Sequence, residues 1–248
     1  SAFKYVGYKL YISIYGKIIG VIESTNTDKI IVTKIPFAEK LFYRIFSIKD
    51  CRIYTDTVAD TAFIINNKII DGPSFQHRNI NRENADCKKN IVFIKGTPRK
   101  LIKLKGSIFS LLTGGAGNHN YFHWMYDVLP RLGIIEKKYD LKKIHFFLFP
   151  DVEKKFQIET LNFLQIPIKK RLSSLKFRHV KADSIYAVDH PNVITNDPSS
   201  NIQNIPLWIL AWLKEKFSKD LKIDKNLPRK FYIDRRDSIS GTTHLRKL

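Results

Sequence analysis

Cysteine is nearly absent: Cys51 and Cys87 are the only two in 248 residues. Two are too few for a disulfide framework, and their separation excludes a CxxC metal or redox pair. They read as free thiols in a reducing compartment. Long hydrophobic runs are also missing. No window approaches the ~18 uninterrupted apolar residues of a membrane span, and the longest, such as IHFFLF at 144–149, have strand length. No signal-peptide pattern opens the chain, which begins on Ser1 and reads as a processed or cut end. Internal repeats and low-complexity segments are lacking too. Acid is scarce, with 23 Asp and Glu against 43 Lys and Arg, for a net charge of +20. Such an excess suits nucleic acid, an anionic membrane surface or phosphorylated substrates. The basic residues form only short clusters, at 88–89, 99–105, 137–138, 169–171 and 235–236, with acids interleaved along the chain. Base-stacking aromatics set among glycines are missing, so nucleic acid is not the expected partner.

What is present is enough apolar residue, 44%, to bury a core in one or two domains. Residues 1–113 read as a β-rich region of short strands: 8–23 with a Gly break, then 29–35, 51–59, 61–71 and 90–96, rich in Ile, Val, Tyr and Thr. The Asn-Asn-Lys at 66–68 predicts a hairpin turn, DGPS at 71–74 another turn, and 77–90 a surface loop. After residue 113 the texture changes. A helical pattern covers 119–138, and a buried strand at 143–150 stops at Pro150. Helical spacing follows at 152–164, a strand at 184–188, an amphipathic helix at 206–219 opened by Pro206, and a strand at 230–234. Strands alternating with helices imply α/β, a parallel sheet with helices packed on it. The expected division is a β-rich 1–113, an α/β unit at 114–228, and the start of a further domain at 229–248, as if the sequence were a fragment.

Residues 114–132, GGAGNHNYFHWMYDVLPRL, hold the densest chemistry. At 100° per residue, Asn120, His123, Trp124, Asp127 and Arg131 share an arc of roughly 100°. Phe122, Met125, Leu129 and Leu132 fall opposite, facing a core. Pro130 lacks a donor and crowds the Tyr126 carbonyl, so a kink or helix end is expected there. A solvated polar face would explain the arc, but Trp124 is a costly residue in such a stripe. Gly115 and Gly117, just upstream, permit close backbone approach where unpaired N–H groups attract anions; a tight turn would explain them equally. His119, His123 and Asp127 at i, i+4 and i+8 also allow a metal-dependent hydrolase, although the Glu of HExxH is missing.

The segment NYFHWMYDVLPRL resembles the signature helix of the family-61 glycosyltransferases, matching at Asn120, His123, Asp127 and Pro130. FYIDRRDSISGTTHLRKL resembles that family's strand ending in Ser-Arg with a later basic pair. Arg235 takes the first Arg, Arg246 and Lys247 the pair, and Asp234 stands where Ser is usual. FQIETLNFLQIP at 156–167 resembles a third family segment. The likeness covers about 114–248. It implies the two-Rossmann-domain architecture called GT-B, with 114–228 as the Rossmann-like acceptor-side domain. It also implies an inverting transfer from a nucleotide-sugar donor to a glycan or lipid-linked glycan acceptor in capsular or other surface polysaccharide synthesis. Nothing here matches the family's His-Gly-Ala-Gly-Leu motif, which belongs to the donor-side domain.

On that resemblance the catalytic residues are Asp127 and His123, one taking the acceptor proton and the other orienting it. Asn120, Trp124, Gly115 and Gly117 would bind substrate or hold the helix entry. Arg235, Arg236 and Arg246 would contact donor phosphates as planar forks. No cofactor or metal is needed if basic groups stabilise the departing diphosphate. The expected location is the cytoplasm, at the inner face of a bacterial inner membrane through peripheral association. The alternative is a non-catalytic domain that binds a sugar or a partner chain.

Overall fold

The computed structural model describes residues 2–74, 87–115, 120–192 and 205–218, with side chains from residue 7 onward. In chain order come α1 (Ala2–Tyr15), β1 (Gly20–Ile22), β2 (Ile30–Ala38), β3 (Leu41–Lys49), β4 (Arg52–Thr55), β5 (Thr61–Ile65) and β6 (Lys68–Ile70). Then follow α2 (Val92–Lys95), β7 (Ile102–Lys103), β8 (Ser107–Ser110), α3 (Tyr121–His123), a π-helical segment (Trp124–Val128) and α4 (Pro130–Ile135). The series closes with β9 (Phe146–Phe149), α5 (Lys155–Phe163), β10 (Arg171–Ser173), β11 (His179–Lys181), β12 (Ser184–Val188) and α6 (Leu207–Ser218).

The expected α/β class is found, as two mixed sheets of six strands. The first runs β1-β6-β5-β4-β11-β7 and the second β10-β9-β8-β12-β3-β2. In the second sheet β10, β9, β8 and β12 are parallel, and β3 and β2 add antiparallel pairs at one side. Side chains alternate across each strand, and that alternation builds the layers. Phe46 and Ile48 of β3, Ile185 and Ala187 of β12, and Leu148 of β9 meet Ile53 of β4 and Phe63 and Ile65 of β5 between the sheets. Tyr43, Ile45, Phe109, Phe147, Phe149 and Val188 point the other way, into a core roofed by the π segment, α4, α5 and α6. The outer face of the first sheet, Tyr54, Ala62, Ile64 and Ile69, is covered by Ile18, Cys87 and Val92. Both cysteines are buried thiols, Cys87 Sγ donating to Asp71 at 3.4 Å, and burial pushes the Cys51 thiol up to about 12.

Residue 113 is not a seam between sheets. Each sheet takes strands from both sides of it: β12 pairs with β3, and β11 with β4. The Asn-Asn hairpin forms as expected, with Asn66 and Asn67 at φ 48° and 58°, the left-handed pair a tight hairpin needs. Two expectations are corrected. Residues 8–15, read as a strand, belong to α1. Their apolar alternation coexists with a helical stripe of Tyr8, Tyr11, Ile12 and Tyr15, which is the half-buried side. Residues 92–95, also read as strand, form α2, where the Asn90 side chain accepts from the Val92 N–H.

Two consequences for stability arise here. Gly133 of α4 touches α6 so closely that a Cβ would lie 2.8 Å from Nε1 and 2.9 Å from Cδ1 of the buried Trp212. That indole donates to Glu136, which also pairs with Lys216. Gly133→Ala is expected to cost about 1–3 kcal/mol by overpacking, read as a lower urea midpoint.

His179 of β11 is buried, and its imidazole is neutral by construction. Nδ1–H donates to the Arg99 carbonyl at 2.8 Å, so Nε2 accepts from the Arg52 guanidinium at 2.9 Å. Burial, with Arg52 beside it, pushes its pKa down to about 4 against the Arg99 bond. The unfolded chain therefore binds a proton that the folded one refuses. Stability is full above about pH 6.5 and falls by roughly 3 kcal/mol as pH drops to about 4. His179→Phe should flatten thermal-melt midpoints across that window, and an unchanged slope would refute this assignment.

Candidate active site

The four parallel strands end on one side of the second sheet, where open α/β sheets place their ligands. Past β8 the chain runs through Leu111, Leu112 and Thr113 into Gly114 and Gly115, both at positive φ (75° and 87°). Past β12 come Asp189, His190, Pro191 and Asn192. That second loop is clamped by β3: Asp189 accepts from the backbone N–H and the guanidinium of Arg44, and the Pro191 carbonyl accepts the Tyr43 hydroxyl at 2.5 Å. Trp208 of α6 donates in turn to the Tyr43 oxygen.

The motif helix lies across these loop ends. Asn120 is its N-cap, with Oδ1 accepting from the N–H groups of Phe122 (2.9 Å) and His123 (3.3 Å). The next turn is π-helical, with the Leu129 N–H bonding the Trp124 carbonyl five residues back. The wider turn gives Pro130 room: lacking an N–H, it begins α4 at a helical first position where no donor is needed. The expected break at Pro130 is thus a change of helix type.

Asp127 is the centre. Its Oδ2 lies 2.5 Å from His123 Nδ1, and its Oδ1 accepts from Asn192 Nδ2 at 2.5 Å. The side chain of Asp127 is 9% exposed and that of His123 46%. Burial alone would raise the Asp127 pKa, but the His123 hydrogen bond and the charges of His190, His123 and Arg131 outweigh it and hold the carboxyl below its ordinary value. The carboxylate is therefore ionised at neutral pH, and it orders the imidazole so that Nδ1 carries the shared proton and Nε2 the lone pair.

Arg131 is fully buried behind it. Nε donates to the Asp127 carbonyl at 2.6 Å and Nη2 to the Gly115 carbonyl at 2.9 Å, tying the glycine loop to the helix. Burial brings its pKa down to about 10, partly offset by Asp127, so it stays a cation. Among the described residues, buried side-chain atoms without a partner concentrate at this end of the sheet: Ser110 Oγ, Thr113 Oγ1, Arg131 Nη1 and Asn192 Oδ1. Orphaned polar groups are costly and collect where function overrides stability.

Of the expected site residues, Asn120, His123, Asp127 and Gly115 are brought together. Trp124 is corrected. It has no exposed surface, packs on Phe149 and Phe156, and gives its N–H to Thr160 at 2.8 Å, so it anchors the helix and presents no face to a sugar. The shared arc fails because it faces a crevice against strand ends, not solvent, and its pitch changes at the π turn. Gly117, His119, Arg235, Arg236 and Arg246 lie outside the described residues. Among the described residues no group of three His, Cys, Asp or Glu is placed to hold a metal. Sequence reasoning passed over Asn192 and His190, although DHPN directly after a five-residue strand is the polar ending that a site at strand termini calls for. No family model, curated protein or solved structure matches the chain.

Proposed function

We propose that the chain is the acceptor-side part of an inverting glycosyltransferase, of the kind its motif helix resembles, with the GT-B arrangement. The observation that carries the reading is the buried, ionised Asp127 bonded at once to His123 and Asn192 at the carboxyl ends of parallel strands. Both carboxylate oxygens are engaged, so the roles divide. His123 is the general base, and Asp127 is the positioning residue that fixes its tautomer. Nε2 takes the proton from an acceptor hydroxyl as that oxygen bonds the anomeric carbon. The bond from that carbon to the donor phosphate breaks on the opposite face, and the nucleoside diphosphate leaves with the electron pair. Asn120 holds the helix entry. On the same resemblance Arg235, Arg236 and Arg246 stabilise the departing phosphates, and the acceptor is a growing surface glycan at the cytoplasmic face of the membrane.

A non-catalytic sugar-binding domain is the competing reading, favoured by the same saturation of Asp127, which a purely structural network would also produce. The deciding experiment is transfer and donor hydrolysis across a panel of nucleotide sugars. It uses this chain and the product of its complete reading frame, each with and without His123→Ala. The transferase reading expects turnover of one donor, lost in the variant with donor affinity kept. Donor binding without turnover in either protein moves the reading to a binding domain, and neither binding nor turnover removes both.

A further inference from the structure

The interleaving of acids with bases along the chain fails on one face. Residues 7–22 and 87–106 contain nine of the 43 Lys and Arg and none of the 23 Asp and Glu, so close to half of the net +20 comes from these two stretches. The fold packs them together as the outer cover of the first sheet. The Tyr15 hydroxyl accepts from the Leu101 N–H at 2.9 Å, Ile12 sits against Gly96, and Ile18 joins Cys87 and Val92 in one cluster. Arg99, Lys100, Lys103 and Lys105 are exposed along the β7 edge. A cleft of about 430 Å³ opens beside them, lined by Arg99, Lys100, Lys176 and Arg178. Of the acids close by, Asp56 is paired with Lys95 and Arg178, Glu153 with Lys176, and Asp183 accepts the Gly106 N–H.

The same layer is apolar on its outside. The exposed stripe of α1 is Lys9, Leu10, Ser13 and Ile14, with Leu10 58% and Ile14 57% exposed. Ile19 at 66% and Ile94 at 78% belong to the same cover. None of Gly7–Tyr15 is fully buried, and Tyr8, Tyr11 and Tyr15 lie half-buried at its flank. Bulky aliphatic groups presented on the same cover as exposed cations, with tyrosines at the border, are the chemistry of an interfacial helix on an anionic bilayer.

We infer that this face docks the protein on a membrane surface rich in anionic phospholipid. Leu10 and Ile14 enter the headgroup–acyl boundary, and Arg99, Lys100, Lys103 and Lys105 take lipid phosphates. A second copy meets the same face with like charge, which disfavours a symmetric pair, and nucleic acid gives the exposed Leu and Ile nothing to contact. The inference stands apart from the chemistry at Asp127.

The test is sedimentation of the protein with phosphatidylcholine vesicles and with vesicles containing phosphatidylglycerol, at low and high salt. Two variants accompany it: Leu10→Ser with Ile14→Ser, and Arg99→Gln with Lys100→Gln, Lys103→Gln and Lys105→Gln. All these side chains are exposed, so thermal melts should match the parent. Expected is binding to anionic vesicles only, weakened by salt. The charge variant should lose roughly fivefold per charge, and the aliphatic variant at least about tenfold. No binding to anionic vesicles, or equal binding to neutral ones, overturns the inference. Binding untouched by the Leu10 and Ile14 changes reduces it to bulk charge attraction and overturns it as stated. A concentration-dependent dimer abolished by those changes, without vesicle binding, assigns the face to a second copy.

Discussion

Arg131→Ala is expected to destabilise the fold by roughly 3–5 kcal/mol, the largest loss we anticipate from a single polar residue. The guanidinium has no exposed surface and no carboxylate oxygen as a direct partner; what it satisfies are the carbonyls of Asp127 and Gly115. Removing it strands both carbonyls in a dry place and leaves a cavity at a fully buried position, so desolvation and packing losses add. The expected reading is a fall in melting temperature of about 10 °C, at 2–4 °C per kcal/mol for a chain of this size. Arg131→Lys should recover little, because one ammonium does not span both carbonyls as the fork does. A variant that melts within a degree or two of the parent would mean that the glycine loop and helix hold together without the bridge.

Asp127→Asn should leave the fold near its parent stability and lower turnover by on the order of 10⁴. The geometry makes the reason specific. If the new amide keeps its oxygen toward Asn192, its N–H₂ faces His123 Nδ1 and forces the proton onto Nε2, the atom that must accept. If it turns over, two amide N–H groups oppose each other at Asn192. The first orientation holds the imidazole in the wrong form, and the second keeps the tautomer but lacks the negative charge that stabilises the imidazolium, so in both kcat should fall with the donor KM little changed. The acid limb of stability should change as well. The folded pKa of Asp127 is depressed, so its contribution is present above the ordinary carboxylate value near 3.8 and is lost as pH falls through the lowered one. The Asn variant should lack that component. Full turnover in Asp127→Asn would sink the positioning role, and a collapse of the fold would assign the network to stability.

Much of this was legible in the sequence, and the misses have physical causes. β9, β12, α5 and α6 show clear periodicity, and Pro150 and Pro206 mark boundaries. The Asn66-Asn67 turn carries its own backbone signature. α1 misleads because Tyr8, Leu10, Ile12 and Ile14 alternate like a strand while 8, 12 and 15 also fit a helix. β10 and β11, three residues each, are too short for any period to show. β3, absent from the expected strands, carries a full alternation of Tyr43 and Ile45 against Phe46 and Ile48. At the site, the spacing of Asn120, His123 and Asp127 exposes a constellation. Its closure by Asn192 and Arg131 needs a loop 65 residues on and a π turn, neither of which a uniform helical wheel contains. Trp124 shows the cost of that wheel, since it shares the arc with His123 and lies wholly inside.

The pairing of β3 with β12 joins residues 135 to 143 positions apart, which has a kinetic side. At ~5–20 residues per second, β3 waits on the order of 10 s after its own synthesis before the strand that completes its neighbourhood exists. During that interval Phe46 and Ile48 have no opposite sheet to meet in full. A topology so dominated by distant pairings closes late and slowly, and the nascent chain is then most exposed to misassociation. Chaperone demand should therefore peak before residue 188 has emerged, and a chain halted at 113 should be a client for holding and not a folded half.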